Sequence, residues 1–155
     1  MGTRPSEAAL VSGRLVELQV SDDEVESWTD GDIQHGRGLR ERQVIDWSDL
    51  RLPAVRTVLY NYEAYPHDAG FAAMFVGAYL PEDEDGSWVG TSTGLTYPDG
   101  HIEAQDNFVG RGIYEGLHAV LFASADTPPS EGGTMTWRGV LFEGHPTPTP
   151  GSDSP

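Results

Sequence analysis

The chain contains no cysteine and no lysine. Without cysteine there is no disulfide framework, no thiol nucleophile and no thiolate metal site. Without lysine there is no Schiff base and no anchor for a pyridoxal cofactor. Positive charge is scarce: nine basic residues, all arginine, stand against 25 acidic ones, a formal net charge of −16. Such a surface repels phosphate, so nucleic acid and anionic membranes are poor partners. No apolar run reaches the roughly 18 residues of a membrane-spanning segment. The start of the chain, Met1-Gly2-Thr3-Arg4-Pro5-Ser6-Glu7, lacks the apolar centre of a secretion signal. These absences lead to the expectation of a cytoplasmic protein.

Standard catalytic motifs are missing too. There is no dinucleotide fingerprint, no P-loop, no nucleophile elbow and no His-Glu-x-x-His. Gly110-Arg111-Gly112 is a lone glycine pair with no helix after it. His35, His67, His101, His118 and His145 stand at no spacing that would pair them on a metal. The acidic run Pro81-Glu82-Asp83-Glu84-Asp85-Gly86 lacks the ordered ligands of a calcium loop and reads as a solvated hairpin loop. Neither a metal nor a cofactor is expected.

What is present is a chain of 155 residues, which suits one domain. Residues 1–12 carry little apolar periodicity and read as a disordered N-terminal tail. Residues 145–155 alternate proline with polar residues and read as a disordered C-terminal tail. The domain spans 13–144. Within it, eight segments rich in β-branched and aromatic residues are separated by turn signals: 15–20, 38–47, 55–65, 71–80, 88–97, 101–109, 117–125 and 134–143. Pro98-Asp99-Gly100 reads as a short hairpin turn. Residues 22–30 and 47–52 read as single helical turns. The fold class expected is all-β, a small eight-stranded antiparallel β-barrel. Phe71-Ala72-Ala73-Met74-Phe75-Val76 is apolar on both faces, so one face needs cover or must line an apolar space. Small residues at 72, 73, 77, 90 and 94 leave room for an internal apolar cavity.

Strict alternation puts Glu17 and Gln19 on one face of their strand, opposite Val16, Leu18 and Val20. It leaves open whether that face meets water. Asn61 lies on the face opposite Tyr60 and Tyr62. Phe75, Trp88, Phe108, Phe122 and Trp137, with Met74 and Met135, are core by default, although aromatics and methionine also build adaptable pockets.

Several motifs in the second half occur in a telling order. Leu80-Pro81 ends a strand, 88–97 forms the next, and Gly100-His101-Ile102-Glu103-Ala104-Gln105 turns into another. Gly112-Ile113-Tyr114-Glu115-Gly116 follows, then a last strand over 135–142 and Thr147-Pro148-Thr149-Pro150. Over roughly 70–150 this order resembles the allene oxide cyclase barrel. The resemblance implies a cavity with Glu17, Gln19 and Asn61 as its polar, catalytic side chains. It implies an apolar substrate lining of Met74, Trp88 and Phe108, to which Val76 and Trp137 are added. Small barrels of this kind in GC-rich bacteria include natural-product cyclases, among them catalysts of intramolecular 4+2 cycloaddition.

The implied activity is cofactor-independent ring closure of a hydrophobic, polyketide-type small-molecule substrate by confinement in the barrel. The alternatives are a lipocalin-like binding protein without turnover and an acid–base isomerase using Glu17. Relatives associate through their outer faces, so a homodimer is left open. Trp28, Ile45 and Trp47 are candidates for such an interface or for a local core.

Overall fold

The computed structural model describes residues 8–80 and 86–144. Nine strands form one antiparallel sheet: β1 (Ala9–Ser21), β2 (Glu26–Asp30), β3 (Ile33–Trp47), β4 (Val55–His67), β5 (Gly70–Leu80), β6 (Gly86–Thr96), β7 (Ile102–Gly112), β8 (Leu117–Ala125) and β9 (Thr136–Glu143). The order is β1-β9-β8-β7-β6-β5-β4-β3-β2, and β1 also pairs with β3. The sheet therefore closes in a ring of eight strands. The long β3 is shared: residues 40–47 pair with β1, while 33–37 pair with β2, which stands outside the ring.

All eight expected strands are present. The ninth, β2, is a correction, because 22–30 read as a helical turn. Glu26–Asp30 pairs residue for residue with Arg37–Ile33 across a tight turn at Gly31, whose φ is +62°. A positive φ at that position is favourable for glycine. The N-terminal boundary also shifts. β1 begins at Ala9 and pairs Ala9 with Leu141 of β9, so 9–12 belong to the sheet rather than to a tail. Residues 1–7, 81–85 and 145–155, which hold most of the expected tails and the acidic run, lie outside the described residues. Among the described residues no helix is long and apolar enough to cross a membrane. Pro98-Asp99-Gly100 forms the expected turn: Gly100 N donates to Tyr97 O at 2.8 Å, and Asp99 Oδ1 accepts from His101 N at 3.0 Å.

Two irregularities bend β1 and β3. A bulge falls between Leu15 and Glu17 against Ile45 and Val44. Another falls between Arg37 and Leu39 against β4, at Gly38 with φ +86°. A bulge adds an unpaired residue, which increases local twist and helps a sheet curl.

Burial alternates along the ring. Arg56, Val58 and Tyr60 of β4 are buried, as are Gln43, Ile45 and Trp47 of β3, and Asp106 and Phe108 of β7. These residues mark the inner face. One end of the ring is filled by Val11, Ile45, Val58, Trp88, Phe108, Leu121 and Leu141. Residues 48–54 cross that end. Buried Leu52 packs there, Trp47 Nε1 donates to Pro53 O, and Trp88 Nε1 donates to Arg51 O, both at 2.8 Å. Each indole is thereby satisfied as burial requires.

Along the inner face, large rings stand close over glycines of the neighbouring strand. Trp47 faces Gly13, Tyr62 faces Gly36, Tyr60 faces Gly77 and Phe75 faces Gly94 in direct cross-strand register. A Cβ added at those glycines would sit 2.4, 2.2, 2.5 and 2.4 Å from the respective ring. Only a residue without a side chain admits so close an approach.

Candidate functional site

The half of the ring away from the filled end contains a pocket of about 350 Å³. That lies near the lower end of the range for small-ligand sites, about 300–1,000 Å³. Its walls include Leu15, Leu18, Val20, Leu39, Ile102, Ala104 and Met135, and Pro128 and Pro129 border it. The short 3-10 turn Pro129–Glu131 thus sits beside the pocket.

Against these apolar walls stands one polar cluster: Glu41, Gln43, Arg56, Tyr60, Ser92 and Asp106, with the Trp137 indole. The hydrogen bonds run in series. Gln43 Nε2 donates to Glu41 Oε1 at 3.0 Å, and Gln43 Oε1 accepts from Arg56 Nε at 2.6 Å. Arg56 Nη2 donates to Asp106 Oδ2 at 3.1 Å, and Trp137 Nε1 donates to the same oxygen at 2.8 Å. The Arg56 and Asp106 side chains are only 4% and 1% exposed. The guanidinium carbon lies 4.4, 5.2 and 5.0 Å from the ring centroids of Tyr79, Phe108 and Trp137. Three aromatic faces therefore help offset the desolvation of the cation.

Electrostatics differ among the members. Burial raises the Glu41 carboxyl above its ordinary value, although the Gln43 hydrogen bond and the Arg56 charge oppose the shift. Burial also raises the Tyr60 and Tyr79 phenols, so both stay protonated across the physiological range. For Arg56, burial pulls the guanidinium down, but its interactions with Tyr79, Asp106 and Tyr60, of which only Asp106 is charged in the physiological range, hold the group above its ordinary value. Among the described residues, Arg56 Nη1 and Asp106 Oδ1 in the cluster and the neighbouring Tyr79 Oη are buried without a hydrogen-bond partner. The Tyr79 hydroxyl feels the Asp106 charge but lies outside hydrogen-bond geometry with it.

The expected site does not assemble. Glu17 and Gln19 are exposed and do not line the pocket, whereas Leu18 and Val20 do. The bulge beside Val16 resets the alternation, so that Leu15 and Leu18 both turn inward and Val16 is left 60% exposed. Asn61 is also exposed. Its Oδ1 accepts from Gly38 N at 3.1 Å, which ties β4 to the bulge of β3. Met74 and Val76 are 53% and 55% exposed. With Asn61, Leu95, Gln105 and Phe122 they border a wide depression on the outer face of the sheet. Trp88 and Phe108 belong to the filled end. Of the eight expected residues, Trp137 alone lines that pocket.

Ile45 and Trp47 are core residues. Trp28 remains 43% exposed, stacked on His35 with centroids 5.0 Å apart. Among the described residues no three acidic or histidine side chains converge as metal ligands would.

The polar cluster was accessible to a closer reading of the strands. On β7, Glu103, Gln105 and Asn107 share one face and Ala104, Asp106 and Phe108 the other. Three polar residues in a row fix the first face as outer, which carries Asp106 inward with Phe108. On β3, Leu39, Ile45 and Trp47 carry Glu41 and Gln43 inward in the same way.

Compared with known proteins, the chain matches no family model, no curated protein and no solved structure.

Proposed function

We propose that the ring acts as a barrel whose open half is an internal cavity, and that the protein closes a ring in a flexible, hydrophobic, polyketide-type intermediate held there. The observation that carries this reading is the pocket itself: apolar walls, one plugged end, and polar groups gathered on one side. A flexible chain folded into such a space has its reacting ends brought together. Because the closure is already intramolecular, the gain comes from sparing the chain the internal-rotation entropy it must lose to reach a near-attack geometry. Hydrogen-bond donors such as the Tyr60 hydroxyl would polarise a substrate carbonyl and stabilise charge as it develops.

A second reading is favoured by Glu41. A half-buried carboxyl with a raised pKa beside an apolar space is the arrangement used for proton transfer near neutral pH. In that reading the protein is an acid–base isomerase of the same class of ligand.

The test supplies a linear trienone small enough for the pocket and follows cyclised product by chromatography. Acceleration over the uncatalysed reaction, lost in Ala104→Trp, supports the cyclase. Saturable binding without acceleration replaces it with a carrier. Glu41→Gln separates the chemistries: a pericyclic closure changes by a few-fold at most, whereas loss of a general base costs about 10²–10⁴-fold.

A further inference from the structure

We infer that the pocket takes a neutral, single-chain amphiphile polar end first, with its head against the Arg56–Asp106 pair and its chain directed along the apolar wall toward Ile102. This rests on the reading that the pocket is the ligand site.

Polarity is graded along the ring. Ile102 opens β7, while Asp106 lies four positions further along it on the same face. At about 3.3 Å per residue they are about 13 Å apart, the length of a medium alkyl chain. Leu39 and Gln43 bear the same relation on β3. On both strands the apolar member lies away from the filled end, and the polar member lies next to it.

The unpaired atoms specify the head. Arg56 Nη1 is a donor and Asp106 Oδ1 is an acceptor, and both lack partners. Unpaired buried polar atoms carry a desolvation penalty of about 1–3 kcal/mol each. A head that both accepts and donates, such as a primary amide or a hydroxy-carbonyl, satisfies both at once. Charge argues against an anionic head. The Arg56 and Asp106 charges cancel, and an ionised Glu41 adds a negative one. That net negative charge disfavours a carboxylate head; it attracts an ammonium head, but a quaternary ammonium offers neither an acceptor for Arg56 Nη1 nor a donor for Asp106 Oδ1.

The experiment uses the full chain and a neutral fluorescent probe, N-phenyl-1-naphthylamine, at pH 8. Decanamide, decanoate and decyltrimethylammonium then compete for it. Decanamide is expected to displace the probe at concentrations at least about 10-fold lower than either ion, the scale of one hydrogen bond to a charged group. Equal potency, or preference for either ion, overturns the inference while leaving the pocket as a ligand site. Ala104→Trp should abolish decanamide binding; retained affinity places the amphiphile elsewhere and also overturns it. If the wild-type protein binds no probe and no competitor, the pocket reading itself fails and this inference with it. Glu41→Gln should narrow the gap between decanamide and decanoate. A gap unchanged in that variant overturns the assignment of the head by charge.

Discussion

At the end of the ring crossed by residues 48–54, the inward side chains include Ile45, Val58, Trp88, Phe108 and Leu141. Toward the other end they include Leu18, Leu39, Ala73, Thr96 and Ala104. The same strands supply both halves, with one antiparallel register running through β6 and β7 from end to end. The difference is side-chain volume at each level. Large residues on several strands at once fill one half. Alanines, a threonine and rings drawn close over glycines leave the other half open. The Arg56–Asp106 pair stands at the boundary: Arg56 lines both the pocket and, on the side of the packed aromatic residues, a second space of about 320 Å³ bordered by Leu50 and residues 52–55. A buried ion pair contributes little net stability against a well-packed apolar substitute, but breaking it is costly. The filled half is therefore expected to carry stability and the open half to carry ligand.

The largest effect should come from Phe108→Ala. Phe108 has no exposure and packs against Tyr79, Trp88 and the Arg56 cation. Truncation is expected to lower unfolding free energy by about 3–5 kcal/mol in urea titrations. A loss below about 1 kcal/mol would show that the filled half is not the stabilising one.

In the open half, Ile102→Ala removes a half-buried side chain that borders existing space, so little new enclosed cavity forms. A loss of about 1 kcal/mol is expected by the same measurement. A value equal to that of Phe108→Ala would erase the contrast between the halves.

Glu41→Gln should act in the opposite direction. Because burial raises the Glu41 carboxyl above its ordinary value of 4.5, the folded protein keeps this proton at pH values where the unfolded chain has released it. The stability linked to it is fully present below about pH 4.5 and is lost as pH rises through the folded value. The amide removes that loss. At pH 7.5 the melting temperature of Glu41→Gln should exceed wild type by about 1–4 °C, with the difference shrinking toward pH 4. A lower melting temperature at pH 7.5 would mean that the ionised carboxylate is stabilising.

Met74→Ser should do least. Met74 is more than half exposed on the outer face, so a change within about 0.5 kcal/mol is expected, with probe binding in the pocket unaltered. Loss of probe binding would relocate the ligand site to the outer depression.

The strands were legible because proline, glycine and aspartate mark nearly every turn, and β-branched and aromatic residues fill the intervals. β2 was not, because the acidic stretch 22–26 masked a short alternating segment whose clearest cue was the Asp30-Gly31-Asp32 turn. Facing was harder than existence. On β1, alternation alone already placed Glu17 and Gln19 opposite Leu18 and Val20. The implied cavity role set that aside and turned them inward. The lining implied by the resemblance misled on β5 as well, where Met74 and Val76 occupy the outer face. Arg56 and Asp106 escaped notice because a charged residue in a strand is read as facing water, and their partner lies fifty positions away in the chain.

The glycines beneath the aromatic rings have a consequence for how such a protein diverges. At Gly36 and Gly77 the wall is as thin as a backbone can be, and a tyrosine ring stands against it like a shutter. A glycine codon is one base from an alanine codon. The methyl group so added would press the shutter off the wall and into the space it now frames. Descendants of this sequence could in this way resize what they admit one residue at a time, leaving strand order, pairing and the plugged end untouched.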